Sequence, residues 1–348
     1  MRPMNYGNYG DRPRGRGVFR GFGAMAAVCC LLPALSFAEP VPLADPFVLY
    51  DGGTYYAYGT GSADGIPVMT STDLENWTPN VGGAKGGLAL HKDDSFGERH
   101  FWAPEVYKVE GGYAMCYSAE EHVLFAFAKS PLGPFVQEEK KPLFDFKAID
   151  GSIFRDDDGR VWLFFVKVEN GNVIYQVEME RDLRKCRPET MRKVFGATEK
   201  WELRNPNCHV AEGPFVVKVD GTYVLTYSAN GYTDKDYALG AATAKSVEGP
   251  WTKYAGNPIL RRRFGLVGTG HHSFFMDAQG KWKIAFHAHN THDKIHPRLM
   301  HIADVEFVDA NGTVVPDIGS RVGAVPAVVL QGLSPNETTP GKAVVSPL

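Results

Sequence analysis

The sequence has few cysteines, no excess of basic residues and no long apolar run. Only five of its 348 residues are cysteines, and only Cys116, Cys186 and Cys208 lie beyond the first 38 residues. This odd, sparse set is neither a disulfide framework nor a paired zinc site. The net charge of −3 argues against nucleic-acid binding, which needs a basic face. No long window shows helical periodicity, so the spacing of apolar residues points away from helical folds.

The amino terminus has the pattern of a secretory signal peptide. Five arginines precede an apolar run over residues 24–35, and Ser36-Phe37-Ala38 follows as a small-x-small site. A membrane anchor is the alternative, but a span needs about 20 apolar residues and Pro33 interrupts this run. We therefore predict cleavage after Ala38 and a secreted or periplasmic protein without a membrane span. Cleavage leaves 32 basic and 39 acidic residues, a net charge of −7.

A glycine turn followed by an aromatic-rich strand recurs five times along the chain. The turn glycines are separated by 60, 47, 62 and 59 residues, and they are Gly52, Gly112, Gly159, Gly221 and Gly280. Each copy reads as a β-hairpin, and regular repetition of hairpins is typical of propeller blades. We predict an all-β, five-bladed β-propeller forming a single domain over residues 39–348, with a closing or peripheral tail after about 315. A β-sandwich or two β-domains is the alternative.

Acidic residues and a histidine recur just upstream of these turns. Asp150, Glu212 and His271 each lie nine residues before their turn glycine, and Asp45 lies seven before Gly52. In a propeller the innermost strands line the central channel, so we expect these side chains to converge. An acid beside Gly or Pro is often only a turn-former. Crowded carboxylates, however, repel one another and are usually found where chemistry requires them. A protonated and an ionised carboxyl in one pocket suggest glycoside hydrolysis.

At these positions the sequence resembles glycoside hydrolase family 43. The matching motifs are Ala44-Asp45-Pro46, Trp102-Ala103-Pro104-Glu105-Val106, Ile149-Asp150-Gly151-Ser152, Glu212-Gly213-Pro214 and Gly270-His271. The resemblance implies a five-bladed propeller and an inverting mechanism. It makes Asp45 the general base, Glu212 the general acid, and Asp150 the acid that tunes Glu212 and orients substrate. An inverting site separates the base and acid carboxyls by roughly 6.5–9.5 Å.

The resemblance also implies binding residues. Arg298 matches an arginine that binds substrate hydroxyls in exo-acting members, and His271 matches a histidine that touches a hydrated calcium ion in several members. No cofactor is required, and a structural calcium ion contacting His271 through water is the metal expected. Trp102 and Phe47 look like pocket-wall aromatics, with core packing as the alternative for Phe47.

Three features depart from the family pattern or remain open. His272 follows His271, where the family often has a small or polar residue, and it either enters the pocket or packs. His287 and His289 share a strand face and either bind a metal with His271 or are ordinary polar histidines. The Gly/His/Asp-rich segment 81–101 is expected to form a pocket-rim loop.

The sequence therefore predicts an exo-acting α-L-arabinofuranosidase or β-D-xylosidase on plant-wall oligosaccharides. An endo-α-1,5-L-arabinanase, which needs an open groove, is the first alternative. A propeller lectin that binds glycans without cleaving them is the second, although a lectin has no need of three convergent acids. Related fructan-cleaving propellers, which are retaining enzymes, fit less well, because Glu212 is followed by Gly-Pro and not by their Cys.

Overall fold

The computed structural model describes residues 40–322 and 343–344. The signal peptide predicted for residues 1–38 lies outside these residues. The regular secondary structure of the described residues is β-strand, apart from two 3-10 turns at Lys85–Gly87 and Lys92–Asp94. Its strands form five antiparallel sheets, one for each repeat seen in the sequence. The prediction of an all-β, five-bladed propeller is confirmed.

The first two blades hold eight strands. Blade 1 contains β1 (Ala44–Asp51), β2 (Thr54–Thr60), β3 (Gly65–Ser71), β4 (Thr78–Pro79) and β5 (Leu88–His91). Blade 2 contains β6 (Trp102–Val109), β7 (Gly112–Ala119) and β8 (His122–Ala128). In blade 1 the order is β1-β2-β3-β4, and β5 also pairs with β3.

The other three blades each hold four consecutive strands. Blade 3 contains β9 (Ala148–Arg155), β10 (Val161–Val168), β11 (Asn172–Met179) and β12 (Cys186–Gly196). Blade 4 contains β13 (Ala211–Val219), β14 (Thr222–Ala229), β15 (Ala238–Ala244) and β16 (Thr252–Lys253). Blade 5 contains β17 (Gly270–Met276), β18 (Trp282–Ala288), β19 (Leu299–Asp309) and β20 (Val314–Val322). A short segment, β21 (Ala343–Val344), pairs with the inner edge of blade 4.

Each repeat folds as the sequence predicts, with the inner strand turning back into the second strand. In blade 1 the turn is made by Gly52 and Gly53, whose φ angles of 58° and 82° suit a tight hairpin. The second strands lie between neighbouring blades, and all eight residues of β14 are buried. Burial on both faces explains why β14 does not alternate between apolar and polar residues.

Adjacent blades are joined by repeated polar contacts at the ends of the inner strands. Asp51 accepts a hydrogen bond from Lys108 of the next blade at 2.9 Å. In the same way Asp156 accepts from Lys218 at 2.9 Å and from Tyr223 at 2.7 Å. An acid at the end of one inner strand therefore pairs with a Lys or Tyr of the following blade. This contact fixes the rotation of the two blades relative to each other.

The chain ends also contact the last blades. Val41 forms an antiparallel bridge with Met300, so the segment before β1 joins blade 5. Strand β20 supplies the outer edge of that blade by pairing with β19. The predicted tail therefore begins as blade structure, and its remainder, except 343–344, lies outside the described residues.

Segment 81–101 differs from the expected rim loop. It contains both 3-10 turns and β5, which pairs with β3 from Gly65 to Pro67. Leu88, Ala89 and Leu90 are buried against the first two blades. Apolar side chains spaced along this segment anchor it to the blade.

None of the helical turns in residues 40–322 has the length and apolar character needed to cross a membrane. The three cysteines of this part of the chain are free thiols.

Candidate active site

All five inner strands contain an irregularity at the same place near their start. Pairing with the second strand shifts register there in every blade. The residue at the irregularity has a left-handed backbone, and these residues are Asp45 (φ 49°), Ala103 (φ 43°), Asp150 (φ 55°), Gly213 (φ 54°) and His271 (φ 40°). Such bulges re-aim side chains and concentrate at functional sites. They place the family motifs at one end of the channel.

The backbone N–H at each bulge is satisfied by a side chain. Three come from the end of the preceding blade's second strand: Thr60 accepts from Ala103 at 3.0 Å, Ser118 from Asp150 at 3.1 Å, and Ser228 from His271 at 2.8 Å. His287 of β18 does the same for Asp45 at 3.1 Å. These supporting residues were not predicted, although Thr60, Ser118 and Ser228 recur at matching strand ends.

The bulges correct one prediction about equivalence between blades. Asp45, Asp150 and His271 do occupy the same position, but its counterpart in blade 4 is Gly213, one residue after Glu212. Counting from the turn glycine misaligned them because blade 4 turns at Asp220 and Gly221, whereas blades 3 and 5 have longer turns. Since neighbouring strand residues point to opposite sides, Glu212 has a different setting from Asp45 and Asp150.

Asp45 lies in a cationic and imidazole environment. Arg298 binds both its carboxylate oxygens, with Nη1–Oδ1 at 2.7 Å and Nη2–Oδ2 at 3.3 Å. Nδ1 of His287 lies 3.1 Å and Nδ1 of His271 3.5 Å from Oδ1. Burial raises the pKa of Asp45, but Arg298, His271 and His287 outweigh it and hold that pKa well below its usual range. Asp45 is therefore an ionised carboxylate at neutral pH.

Asp150 has the opposite electrostatic setting. Its Oδ2 accepts the Gly213 N–H at 3.1 Å and lies 4.0 Å from Nδ1 of His271. Burial, followed by the charges of Glu212 and Asp45, raises its pKa well above the usual value. No Arg or Lys offsets these effects among its described contacts. The site therefore disfavours ionisation of Asp150 next to the ionised Asp45.

Glu212 has a separate set of partners. Asn172 donates to Oε2 at 2.7 Å and Tyr237 donates to Oε1 at 2.8 Å. Burial raises the pKa of Glu212, and the bonds from Tyr237 and Asn172 oppose that rise only in part. Asn172 lies on the blade 3 hairpin, which bridges to Val210, so packing between blades brings it to Glu212. Sequence reasoning missed both donors.

The channel contains a further, half-buried acid, Glu105 of the second motif. Burial raises its pKa to about 8, and Tyr107 and Ser152 hydrogen-bond to it. Tyr107 accepts the N–H of Ile153 at 2.7 Å, which ties Glu105 to blade 3. The charge of Glu105 also raises the pKa of Asp150.

The two predicted aromatic residues lie in different places. Trp102 is half-buried and stacks on His100 at 4.7 Å, and it pairs with Ser118, which contacts Asp150. It therefore lies at the end of the channel that holds the acids. Phe47 is buried in the core and lines a cavity of about 380 Å³ formed by the later halves of the inner strands. The structure thus buries Phe47 in the core beside this cavity.

Burial lowers the pKa of His271, His272 and His287. In His287, Nδ1 lies 3.1 Å from the Asp45 backbone nitrogen and Nε2 lies 3.2 Å from Nη1 of Arg298, and burial with Arg298 lowers the pKa to about 3. His272 packs in the core, where its Nε2 meets the Thr226 hydroxyl at 2.6 Å. His289 contacts the carbonyl of Tyr232 at 2.9 Å.

These residues do not provide a direct calcium site. Calcium takes six to eight oxygen ligands, whereas both oxygens of Asp45 are held by Arg298. Across the part of the chain that the structure describes, no group of three His, Cys, Asp or Glu side chains is placed to hold a metal ion. An ion at His271 would have to be held largely by water, and no chemical step below depends on one.

Comparisons with known proteins agree with this geometry. The family model for glycosyl hydrolases family 43 matches residues 38–314. A solved endo-1,4-beta-xylanase structure from Bacteroides thetaiotaomicron VPI-5482 is 42% identical, with a TM-score of 0.76, over 82% of this chain and 97% of that one. An extracellular exo-alpha-(1->5)-L-arabinofuranosidase from Cellvibrio japonicus is 25% identical over 79% of this chain and 86% of that protein. A beta-D-galactofuranosidase from Aspergillus niger is 26% identical over 78% and 82%. The resemblance seen in the sequence is thus confirmed, and the chain belongs to glycosyl hydrolases family 43.

Proposed function

We propose that this glycosyl hydrolase is an exo-acting α-L-arabinofuranosidase or β-D-xylosidase on plant-wall oligosaccharides. The observation that carries the proposal is the meeting of acids from three blades: Asp45 lies against Arg298 and His271, Asp150 lies near His271, and the charges of Asp45 and Arg298 act on the pKa of Glu212. Two similar proteins are named for these activities: the Cellvibrio japonicus exo-arabinofuranosidase and a beta-xylosidase from Xylanibacter ruminicola.

In the proposed mechanism Glu212 is the general acid. Its raised pKa keeps a fraction protonated at working pH, and the proton passes to the glycosidic oxygen as the bond to the anomeric carbon breaks. Asn172 and Tyr237 then stabilise the carboxylate that remains, since both donate to it. The surroundings of Glu212 therefore suit both its protonated and its ionised form.

Asp45 is the proposed general base. Its depressed pKa keeps it ionised, so it can accept a proton from water as that water attacks the anomeric carbon from the opposite face. Arg298 fixes the carboxylate in place, and His287 contacts the backbone N–H of the same residue. One water is consumed, the departing sugar takes the proton of Glu212, and the configuration inverts.

Asp150 is the proposed tuning acid. Its Oδ2 is tied to the N–H of the residue after Glu212, and the charge of Glu212 raises the pKa of Asp150. A neutral Asp150 can donate a hydrogen bond to a sugar hydroxyl. It therefore positions substrate without adding a second negative charge beside Asp45.

A parallel assay on p-nitrophenyl α-L-arabinofuranoside, p-nitrophenyl β-D-xyloside and dye-linked arabinan tests the proposal. We expect release from at least one aryl pentoside, and loss of cleavage of unactivated oligosaccharides by a factor of about 10² or more in Glu212→Gln. Undiminished activity in that variant contradicts the acid assignment. Glycan binding without cleavage of any pentoside supports the lectin alternative.

Endo action is the second candidate, because the 42% identical structure is named an endo-1,4-beta-xylanase and one similar protein an endo-alpha-(1->5)-L-arabinanase. Dye-linked xylan therefore belongs in the same assay. Early products of mixed length identify an endo enzyme, whereas a single monosaccharide product identifies an exo enzyme.

We further propose export after removal of residues 1–38. Three similar proteins are named as extracellular. The mass of the protein recovered from medium or periplasm tests this: it should correspond to a chain beginning at Glu39, and an intact leader contradicts it.

A further inference from the structure

An exposed aromatic side chain lies at the mouth of the site. Tyr232 is 41% exposed, and only two other large apolar side chains among residues 40–319 are as open, Val136 and Val168 at 37% each. The proposed mechanism gives Tyr232 no role. An exposed ring beside buried acids invites a ligand, because aromatic rings have an apolar face that water solvates poorly.

The ring stands next to the catalytic groups with one side chain between. The guanidinium carbon of Arg298 lies over the Tyr232 ring, 4.6 Å from its centroid, and the same guanidinium holds Asp45. Asp45, Arg298 and Tyr232 form a row along which the exposed fraction rises. The Asp45 and Arg298 side chains are 8% and 10% exposed, and Tyr232 is 41% exposed. The row therefore runs from the floor of the site outward.

The loop that carries Tyr232 is held rigidly. Asn230, fully buried, donates to the carbonyls of Trp201 and Asp236 at 3.0 Å each. Nε2 of His289 bonds the Tyr232 carbonyl at 2.9 Å. Further along the same loop Tyr237 contacts Glu212. A ring fixed in this way loses little conformational entropy when a ligand packs on it.

We propose that Tyr232 is a platform for the second sugar of the substrate, the one on the leaving-group side. This inference rests on the proposed exo action, in which the terminal sugar is held at the inner end beside Asp45 and the rest of the chain extends outward. Arg298 occupies one face of the ring, which leaves the ring's exposed side for the C–H groups of a sugar. Hydrogen bonding at the floor then recognises the terminal sugar, and stacking at the mouth recognises the next.

Two substrates that differ only in the leaving group separate this role from simple support of Arg298. A pentose disaccharide, xylobiose or 1,5-arabinobiose, places a sugar at the outer position. The matching glycosyl fluoride, whose leaving group is one atom, does not. We expect Tyr232→Ala to lower kcat/KM about tenfold more on the disaccharide than on the fluoride. Tyr232→Phe, which keeps the ring, should restore the ratio of the unmutated protein.

Val136→Ala is the matched control, since it shortens a similarly exposed side chain on the outer edge of blade 2. It should change neither rate. Equal losses on both substrates in Tyr232→Ala overturn the platform and leave Tyr232 only a role in supporting Arg298. The absence of any loss overturns the platform as well. Thermal unfolding checks that the variants fold.

Calorimetry on Glu212→Gln keeps the test independent of turnover. Adding Tyr232→Ala to that variant should weaken binding of the disaccharide about tenfold. An unchanged affinity contradicts the platform even where activity supports the proposed function. Failure of the unmutated protein to cleave either substrate, with the affinity loss present, contradicts the hydrolase activity and keeps the platform.

Discussion

Removal of Arg298 should destabilise the protein in a way that depends on pH. The side chains of Arg298 and Asp45 are at most 10% exposed. Arg298→Met therefore leaves a buried Asp45 without its cation. Breaking one partner out of a buried ion pair costs about 3–5 kcal/mol. We expect a loss of that order in the free energy of unfolding at pH 7.

The sign of the pH dependence follows from the pKa of Asp45. In the unmutated protein that pKa lies below the unfolded value, so ionised Asp45 stabilises the fold above about pH 4 and this contribution is lost as pH falls. In Arg298→Met burial dominates and the folded pKa rises, so ionisation opposes folding. The difference between the two proteins should therefore be largest at neutral pH and shrink below about pH 4.

Urea unfolding of both proteins at pH 7 and at acid pH measures this. Arg298→Lys keeps the charge but not the two-pronged contact, and should fall between them. Lys85→Met, which breaks the exposed pair with Asp93, is the control and should leave the midpoint unchanged. A destabilisation by Arg298→Met that is equal at both pH values would refute the electrostatic reasoning.

Other predictions concern the acid, the core and the metal. Asn172→Ala removes a bond that lowers the pKa of Glu212, so the alkaline limb of the kcat/KM profile should move to higher pH, and a shift to lower pH contradicts the assignment. Gly151→Ala places a Cβ 2.5 Å from Sγ of Cys116 and should destabilise by about 1–3 kcal/mol in thermal unfolding. Adding Cys116→Ala should recover part of that loss, and strict additivity of the two changes speaks against the clash. Dialysis against a chelator should leave kcat unchanged, whereas a loss restored by calcium shows that an ion is required.

The sequence could predict what repeats in every blade. Turn glycines and aromatic strands recur because each blade is one folding unit, so the fold and the motif positions of Asp45, Asp150 and His271 follow from counting. The registration of Glu212 did not follow, because blade 4 has a shorter turn than blades 3 and 5 and counting from a glycine ignores turn length.

Contacts between blades were beyond a single sequence. Asn172 and Tyr237 reach Glu212 from two different hairpins and loops, and nothing in their local pattern distinguishes them from surface residues. Segment 81–101 reads as a loop because its strand is only four residues long, and packing against β3 decides its place. The core position of Phe47 likewise depends on Tyr107 of the next blade, 5.7 Å away.

The central claim is that Glu212 and Asp45 cleave a pentoside by a single displacement. Time-resolved proton NMR of disaccharide hydrolysis tests it most directly, because the anomer released first is seen before mutarotation. The account predicts the inverted anomer, which is α-xylose from a β-xyloside or the β-anomer from an α-arabinofuranoside. First release of the retained anomer would contradict it.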